Sequence, residues 1–202
     1  MSKEIEVKLY YGDLGSLEET IQANGGDLVQ DRIYERNIRY DRPDGSMTSK
    51  GVVLRLREDN AVKLTYKEPG IIERGIITRE ELEVEVGDFD TMQAILAKFG
   101  YHPAMLYEKY RTIYACHSAH IMLDELPYGN FVEIEGSIDT IEMIISQLGL
   151  DHVERRDSSY AKLFDYVKHH LELSFQDLTF ENFEDINVPE SAFIAPGSIV
   201  IR

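Results

Sequence analysis

The chain has 202 residues, with 21 Lys+Arg against 37 Asp+Glu, a formal net charge of −16 and 43% hydrophobic residues. That composition suits a folded domain and argues against disorder; its charge repels nucleic acid phosphates and anionic lipid except where the few bases are gathered. No apolar run reaches membrane-spanning length, Met1 to Tyr10 lacks a signal-peptide apolar region, and Cys116 has no second cysteine to pair with, so a cytoplasmic protein is expected.

Apolar-polar alternation predicts strands at about residues 3–11, 32–41, 51–58, 61–68, 78–87, 107–115, 119–126 and 130–136. Three- and four-residue apolar spacing predicts helices at 13–25, 88–100, 138–149 and 158–171, three of them ending at Gly25, Gly100 and Gly149, where a C-cap is expected. Pro43-Asp44-Gly45 and Pro127-Tyr128-Gly129 read as turns. One unit recurs three times: a strand with two alternate glutamates (Glu4 and Glu6, Glu83 and Glu85, Glu133 and Glu135) leading into a helix. Residues 171–202 differ, with six acids against Arg202 alone and Phe175, Phe180, Phe183 and Phe193 scattered between; this segment reads as an acidic extension to a domain of residues 1–170, locally packed and otherwise exposed.

Residues of equal parity on a strand share a face. Glu4, Glu6 and Lys8 therefore point one way, as do Arg55 with Arg57, Lys63 with Lys67, Lys109 with Arg111, and Glu133 with Glu135, while the opposite faces are largely Ile, Leu and Val. Two arrangements fit. An open antiparallel sheet would put its apolar face inward and its charges in water. A closed eight-stranded antiparallel β-barrel of the α+β class would put the charges in its lumen and the amphipathic helices outside, and the four helices favour this second form.

The bases are clustered. Residues 50–67 hold Lys50, Arg55, Arg57, Lys63 and Lys67 against Glu58 and Asp59, in a chain that is otherwise acidic. Matching basic faces suit a polyanion, and the interleaved glutamates supply hard oxygen donors for Mg²⁺ or Mn²⁺. Together they form a set suited to a triphosphate-bearing small molecule. Gly45–Gly51 is no Walker A sequence and Gly12–Gly15 no dinucleotide fingerprint.

Glu4-Ile-Glu-Val-Lys8, Leu54-Arg-Leu-Arg57, Leu64-Thr-Tyr-Lys67, Glu108-Lys-Tyr-Arg111, Leu123-Asp124 and Phe131-Val-Glu-Ile-Glu135 resemble, in order, the CYTH domain or triphosphate tunnel metalloenzymes. The resemblance implies an eight-stranded tunnel with helices outside. By position it implies divalent metal at Glu4, Glu6, Glu133 and Glu135, with Asp124 a further metal or water contact. It also implies triphosphate held by Lys8, Arg55, Arg57, Lys67, Lys109 and Arg111. Ser158, Tyr160 and Lys162 resemble the start of the family's C-terminal helix at the tunnel mouth.

The leading expectation is metal-dependent hydrolysis of an inorganic or organic triphosphate, with Lys8, its pKa lowered by neighbouring cations, a candidate base for water. The alternatives are a class IV adenylate cyclase making cyclic AMP and pyrophosphate from ATP, and a polyphosphate- or nucleotide-binding module without turnover. Neither membrane nor duplex nucleic acid is an expected partner; the oligomeric state is open, homodimers being the common case.

Overall fold

The computed structural model of the chain describes residues 2–197. Its strands are β1 (Ser2–Tyr10), β2 (Asp27–Asp41), β3 (Val53–Glu58), β4 (Val62–Lys67), β5 (Ile71–Glu73), β6 (Ile76–Val86), β7 (His102–Cys116), β8 (Ala119–Leu126) and β9 (Gly129–Glu135). The helices are α1 (Leu14–Ala23), α2 (Ser46–Ser49), α3 (Phe89–Lys98), α4 (Ile138–Gln147) and α5 (Tyr160–Leu171), followed by 3-10 turns at Glu181–Phe183 and Glu190–Phe193.

Eight strands follow the order β1-β9-β8-β7-β2-β3-β4-β6, and β6 returns to β1 to close the ring. Closure leaves no free edge around the main ring. All pairs are antiparallel, and β5 adds a short hairpin to β6. Three strands lie between β1 and β2 in either direction, so these two walls face each other, as do β9 and β3. The charged faces line the lumen, as the helices suggested.

The four longer helices start on side-chain caps. Asp13, Asp88, Ser137 and Ser159 accept from the backbone N–H of Ser16, Thr91, Thr140 and Lys162 at 3.1, 2.7, 3.2 and 3.3 Å, satisfying donors that have no partner within the helix. α1 and α4 bury Leu17, Ile21, Ile141 and Ile144 against Val7, Leu9, Val132 and Ile134 on the outside of β1 and β9. α3 does the same with Phe89 and Leu96 over Ile38, Leu54 and Leu56. The cover is incomplete at β6, where Leu82 and Val84 are 47% and 57% exposed.

Two strands begin five residues earlier than the alternation predicts, β2 at Asp27 and β7 at His102. Register shifts at Leu28/Gln30, Gln30/Ile33 and Arg39/Tyr40 break the period of two along their shared ladder, which hides the pairing from pattern reading.

The chain after α5 packs back onto the barrel at a few points, Leu178, Phe183, Ala192 and Phe193 being buried. The β7–β8 register begins at Tyr110, and Leu178 docks on the preceding stretch of β7, its N–H donating to the Leu106 carbonyl and its carbonyl accepting from the Glu108 N–H, both at 2.9 Å. Phe183 and Phe193 join Tyr128, Phe131, Tyr160 and Phe164 in an aromatic cluster. Residues 198–202 of the predicted extension lie outside the described residues.

Candidate active site in the tunnel

A cavity of about 870 Å³ runs into the barrel and takes lining residues from all eight of its strands and from the start of α5. One wall is rich in carboxylates. The β1–β9 register places Glu6 beside Glu135 and Lys8 beside Glu133. Lys8 Nζ lies 2.5 Å from Glu133, whose other oxygen takes Arg111 at 2.5 Å. Glu4 accepts from Lys67 at 2.7 Å and Arg79 at 2.6 Å, and Arg79 reaches Glu6 at 3.1 Å. Burial alone would raise the Glu4 carboxyl, but Lys67 and Arg79 outweigh it and leave the group at about 2. Glu133 is likewise driven well below the usual range by Lys8 and Arg111 against the effect of burial.

Glu135 behaves oppositely. Burial, and then Glu4 and Glu6, push its pKa up, and it has no ion pair within 4.0 Å among the described residues. The carboxylate wall therefore carries negative charge that its cations do not fully compensate.

The facing wall is basic. Arg55 donates to the Tyr107 hydroxyl at 3.2 Å and to Thr65 at 3.3 Å. Arg57 pairs with Asp59 at 3.1 Å and lies 3.9 Å from Glu35. Glu35, 1% exposed, also sits 3.4 Å from Lys109. Burial would raise the Glu35 carboxyl, yet Lys109, Arg111 and Arg57 hold it at about 2.

Twelve residues named from sequence line this one cavity: Glu4, Glu6, Lys8, Arg55, Arg57, Lys67, Lys109, Arg111, Glu133, Glu135, Tyr160 and Lys162. Two do not. Asp124 lies beneath the lining, 0% exposed, and takes Lys109 at 3.0 Å, Arg111 at 2.6 and 2.5 Å, and the Tyr160 hydroxyl at 2.7 Å. It anchors donors from β7 and α5. Lys63 is a third exposed and pairs with Glu83 at 3.2 Å, off the lining.

Lys8 corrects the sequence reading. Burial would lower its pKa, but Glu133, Glu6 and Asp124 raise it, because the strand register puts the ammonium against a carboxylate rather than another cation. Sequence reasoning also missed Glu35, Asn37 and Arg39 on β2, Arg79 on β6 and Tyr107 on β7. A parity count from Glu81 would have found Arg79.

The CYTH domain pattern matches residues 2–144. The chain belongs to the CYTH domain family. A Methanocaldococcus jannaschii protein bearing a provisional adenylate cyclase name is 30% identical over 140 residues, 68% of this chain and 79% of that protein. Among solved structures, a Vibrio parahaemolyticus protein with a similar provisional name superposes with a TM-score of 0.69 at 22% identity, covering 80% of this chain and 97% of that one. A Hippeastrum protein described as having a dominant triphosphatase activity gives 0.58 at 17% identity, covering 85% and 97%. At these identities the two structures establish the fold. No helix among the described residues is long and apolar enough to cross a membrane.

Proposed function

We infer that this CYTH protein hydrolyses a triphosphate held in the tunnel, with a divalent cation at the carboxylate wall. The observation that carries this reading is the opposition of Arg55 and Arg57 on β3 to Glu133 and Glu135 on β9 across a closed lumen.

The donor set fits a hard divalent ion. Among the described residues no three carboxylate, histidine or cysteine groups already form a metal cage, since Glu4, Glu6 and Glu133 are turned onto lysine and arginine. Glu135, pushed up by its carboxylate neighbours, is the group whose environment a dication would relieve most. Glu4, Glu6, Glu133 and Glu135 would hold Mg²⁺ or Mn²⁺, which when bound would polarise a phosphoryl oxygen and lower the pKa of water.

The protein's own part is electrostatic. Arg55, Arg57, Lys109 and Arg111 take the non-bridging phosphate oxygens, offsetting charge in a loose phosphoryl-transfer transition state. Lys8, charged and fixed by Glu133, donates to the phosphoryl group under attack. Water adds in line, the bond to the bridging oxygen breaks, pyrophosphate departs and a proton passes to solvent. The Hippeastrum protein's described activity supports this choice.

A second reading, cyclisation of ATP, is favoured by the name of the Methanocaldococcus jannaschii relative and by a cavity roomy enough for a nucleoside. Incubation with tripolyphosphate and with ATP, each with Mg²⁺ or Mn²⁺, separates the two. Hydrolysis releases phosphate and is abolished by EDTA; cyclisation yields cyclic AMP and pyrophosphate.

A further inference from the structure

Arg55 is held differently from its neighbours in the tunnel. Lys8, Arg57, Lys67, Arg79, Lys109 and Arg111 each have a carboxylate oxygen between 2.5 and 3.1 Å away. Among the described residues the nearest carboxylate to Arg55 is Glu83, at 3.8 Å. Its short contacts are with two hydroxyls, Tyr107 at 3.2 Å and Thr65 at 3.3 Å, and its Nε has no partner. A carboxylate fixes a guanidinium and also cancels its charge, whereas a hydroxyl fixes it and leaves the charge for an incoming anion.

Tyr107 reaches the lumen from β7. It shares the parity of Lys109 and Arg111, lines the cavity and is 7% exposed. Burial would raise its phenol, but Arg55 and Lys109 outweigh burial and lower the pKa.

The backbone around Tyr107 has no β8 partner, because that register starts at Tyr110. The segment after α5 takes the place. Leu178 bridges Tyr107 in parallel, donating its N–H to the Leu106 carbonyl and accepting from the Glu108 N–H, both at 2.9 Å. Asp177 Oδ1 accepts from the Leu106 N–H at 2.8 Å, and the Phe180 N–H donates to Glu108 Oε2 at 2.9 Å. The residues on either side of Tyr107 are thus fixed from a part of the chain beyond the family pattern, which ends at residue 144.

We propose that Tyr107 is a positioning residue for Arg55, and that Asp177 and Leu178, by fixing the backbone of Tyr107, bring the segment after α5 into the phosphate-binding machinery. This rests on the reading that the tunnel holds a triphosphate. Without the phenol the guanidinium is free to close on Glu83, and an anion must then break that pair to bind.

The test is steady-state phosphate release from tripolyphosphate with Mg²⁺, alongside calorimetric binding of tripolyphosphate without metal. The proteins are the wild-type chain, Y107F, R55Q, D177A, D177N and the doubles Y107F/R55Q and Y107F/D177A. Y107F is expected to raise KM and Kd about 10-fold with kcat changed less than about 3-fold, as for a lost hydrogen bond to a charged group. Because the hydroxyl acts through Arg55, Y107F is expected to cost less than about 2-fold in the R55Q background. D177A is expected to cost about 3-fold alone and less than about 2-fold in the Y107F background. D177N keeps an acceptor oxygen and is expected to bind as wild type does. Affinity unchanged in Y107F overturns the positioning role, and an equal loss in the wild-type and R55Q backgrounds overturns it in favour of direct contact with the substrate. A D177A variant without effect, or with an effect that persists in Y107F, overturns the part given to the segment. Each of these leaves the tunnel reading intact. A wild-type chain that neither binds nor hydrolyses tripolyphosphate overturns both.

Discussion

Tyr160, the first residue of α5, donates its phenolic hydrogen to Asp124 on β8 across 2.7 Å, while its backbone carbonyl accepts from Tyr128 at 3.0 Å. The same carboxylate holds Lys109 and Arg111. The helix at the cavity and the basic floor thus share one buried acid. Tyr160→Phe removes a hydrogen bond to a charged group, worth about 1.5–3 kcal/mol, and frees Asp124 to draw the two cations inward. The expected result is a lower melting temperature and a KM for tripolyphosphate raised about 3- to 10-fold with a smaller change in kcat, measured by steady-state phosphate release.

Glu133 stands between Lys8 and Arg111 at 2.5 Å from each. Glu133→Ala deletes a proposed metal donor and leaves two buried cations unbalanced, so phosphate release is expected to fall by at least 100-fold. Circular dichroism shows whether the barrel persists; release that survives the substitution, or survives EDTA, contradicts the assignment.

Glu35 links stability to pH. Its carboxyl is about 2 in the fold against an ordinary 4.5. A depressed carboxyl contributes stability that is complete above about 4.5 and lost as pH falls towards 2. Glu35→Gln breaks a buried charge group and is expected to cost about 3–5 kcal/mol at pH 7. It should also flatten the loss of stability between pH 4.5 and 2, measured by urea titration across that range.

Phe193 is 2% exposed and packs on Tyr10, Tyr128 and Phe131. Phe193→Ala opens a cavity in that cluster at a cost of about 3–5 kcal/mol. If the segment after α5 were only a loose tail, its melting temperature would match wild type.

What the sequence disclosed follows from how strand chemistry is written. β1, β3 and β9 alternate cleanly, so Glu4, Glu6, Lys8, Arg55, Arg57, Glu133 and Glu135 declared a common face, and amphipathic helices indicated that this face turns inward. Alternation found β2 from about residue 32, but its lumen residues went unread for a physical reason. Its outward residues include Tyr34 and Arg36 and its inward ones Glu35, Asn37 and Arg39, so charged and polar groups occupy both sides and do not mark one face as the lumen. The charge state of Lys8 was not legible either, because it depends on which residue lies opposite, and register is a property of the folded pair. Asp124 could be placed on a strand but not beneath the lining, a depth set by the long cations and the tyrosine that converge on it.

The most direct measurement is product analysis of purified protein given tripolyphosphate or ATP with Mg²⁺ or Mn²⁺, scored together for phosphate, pyrophosphate and cyclic AMP. Phosphate released from tripolyphosphate, dependent on the metal and reduced at least 10-fold in Arg57→Ala, is the expected result. No phosphate from tripolyphosphate, with cyclic AMP accumulating from ATP instead, would contradict hydrolysis in this tunnel.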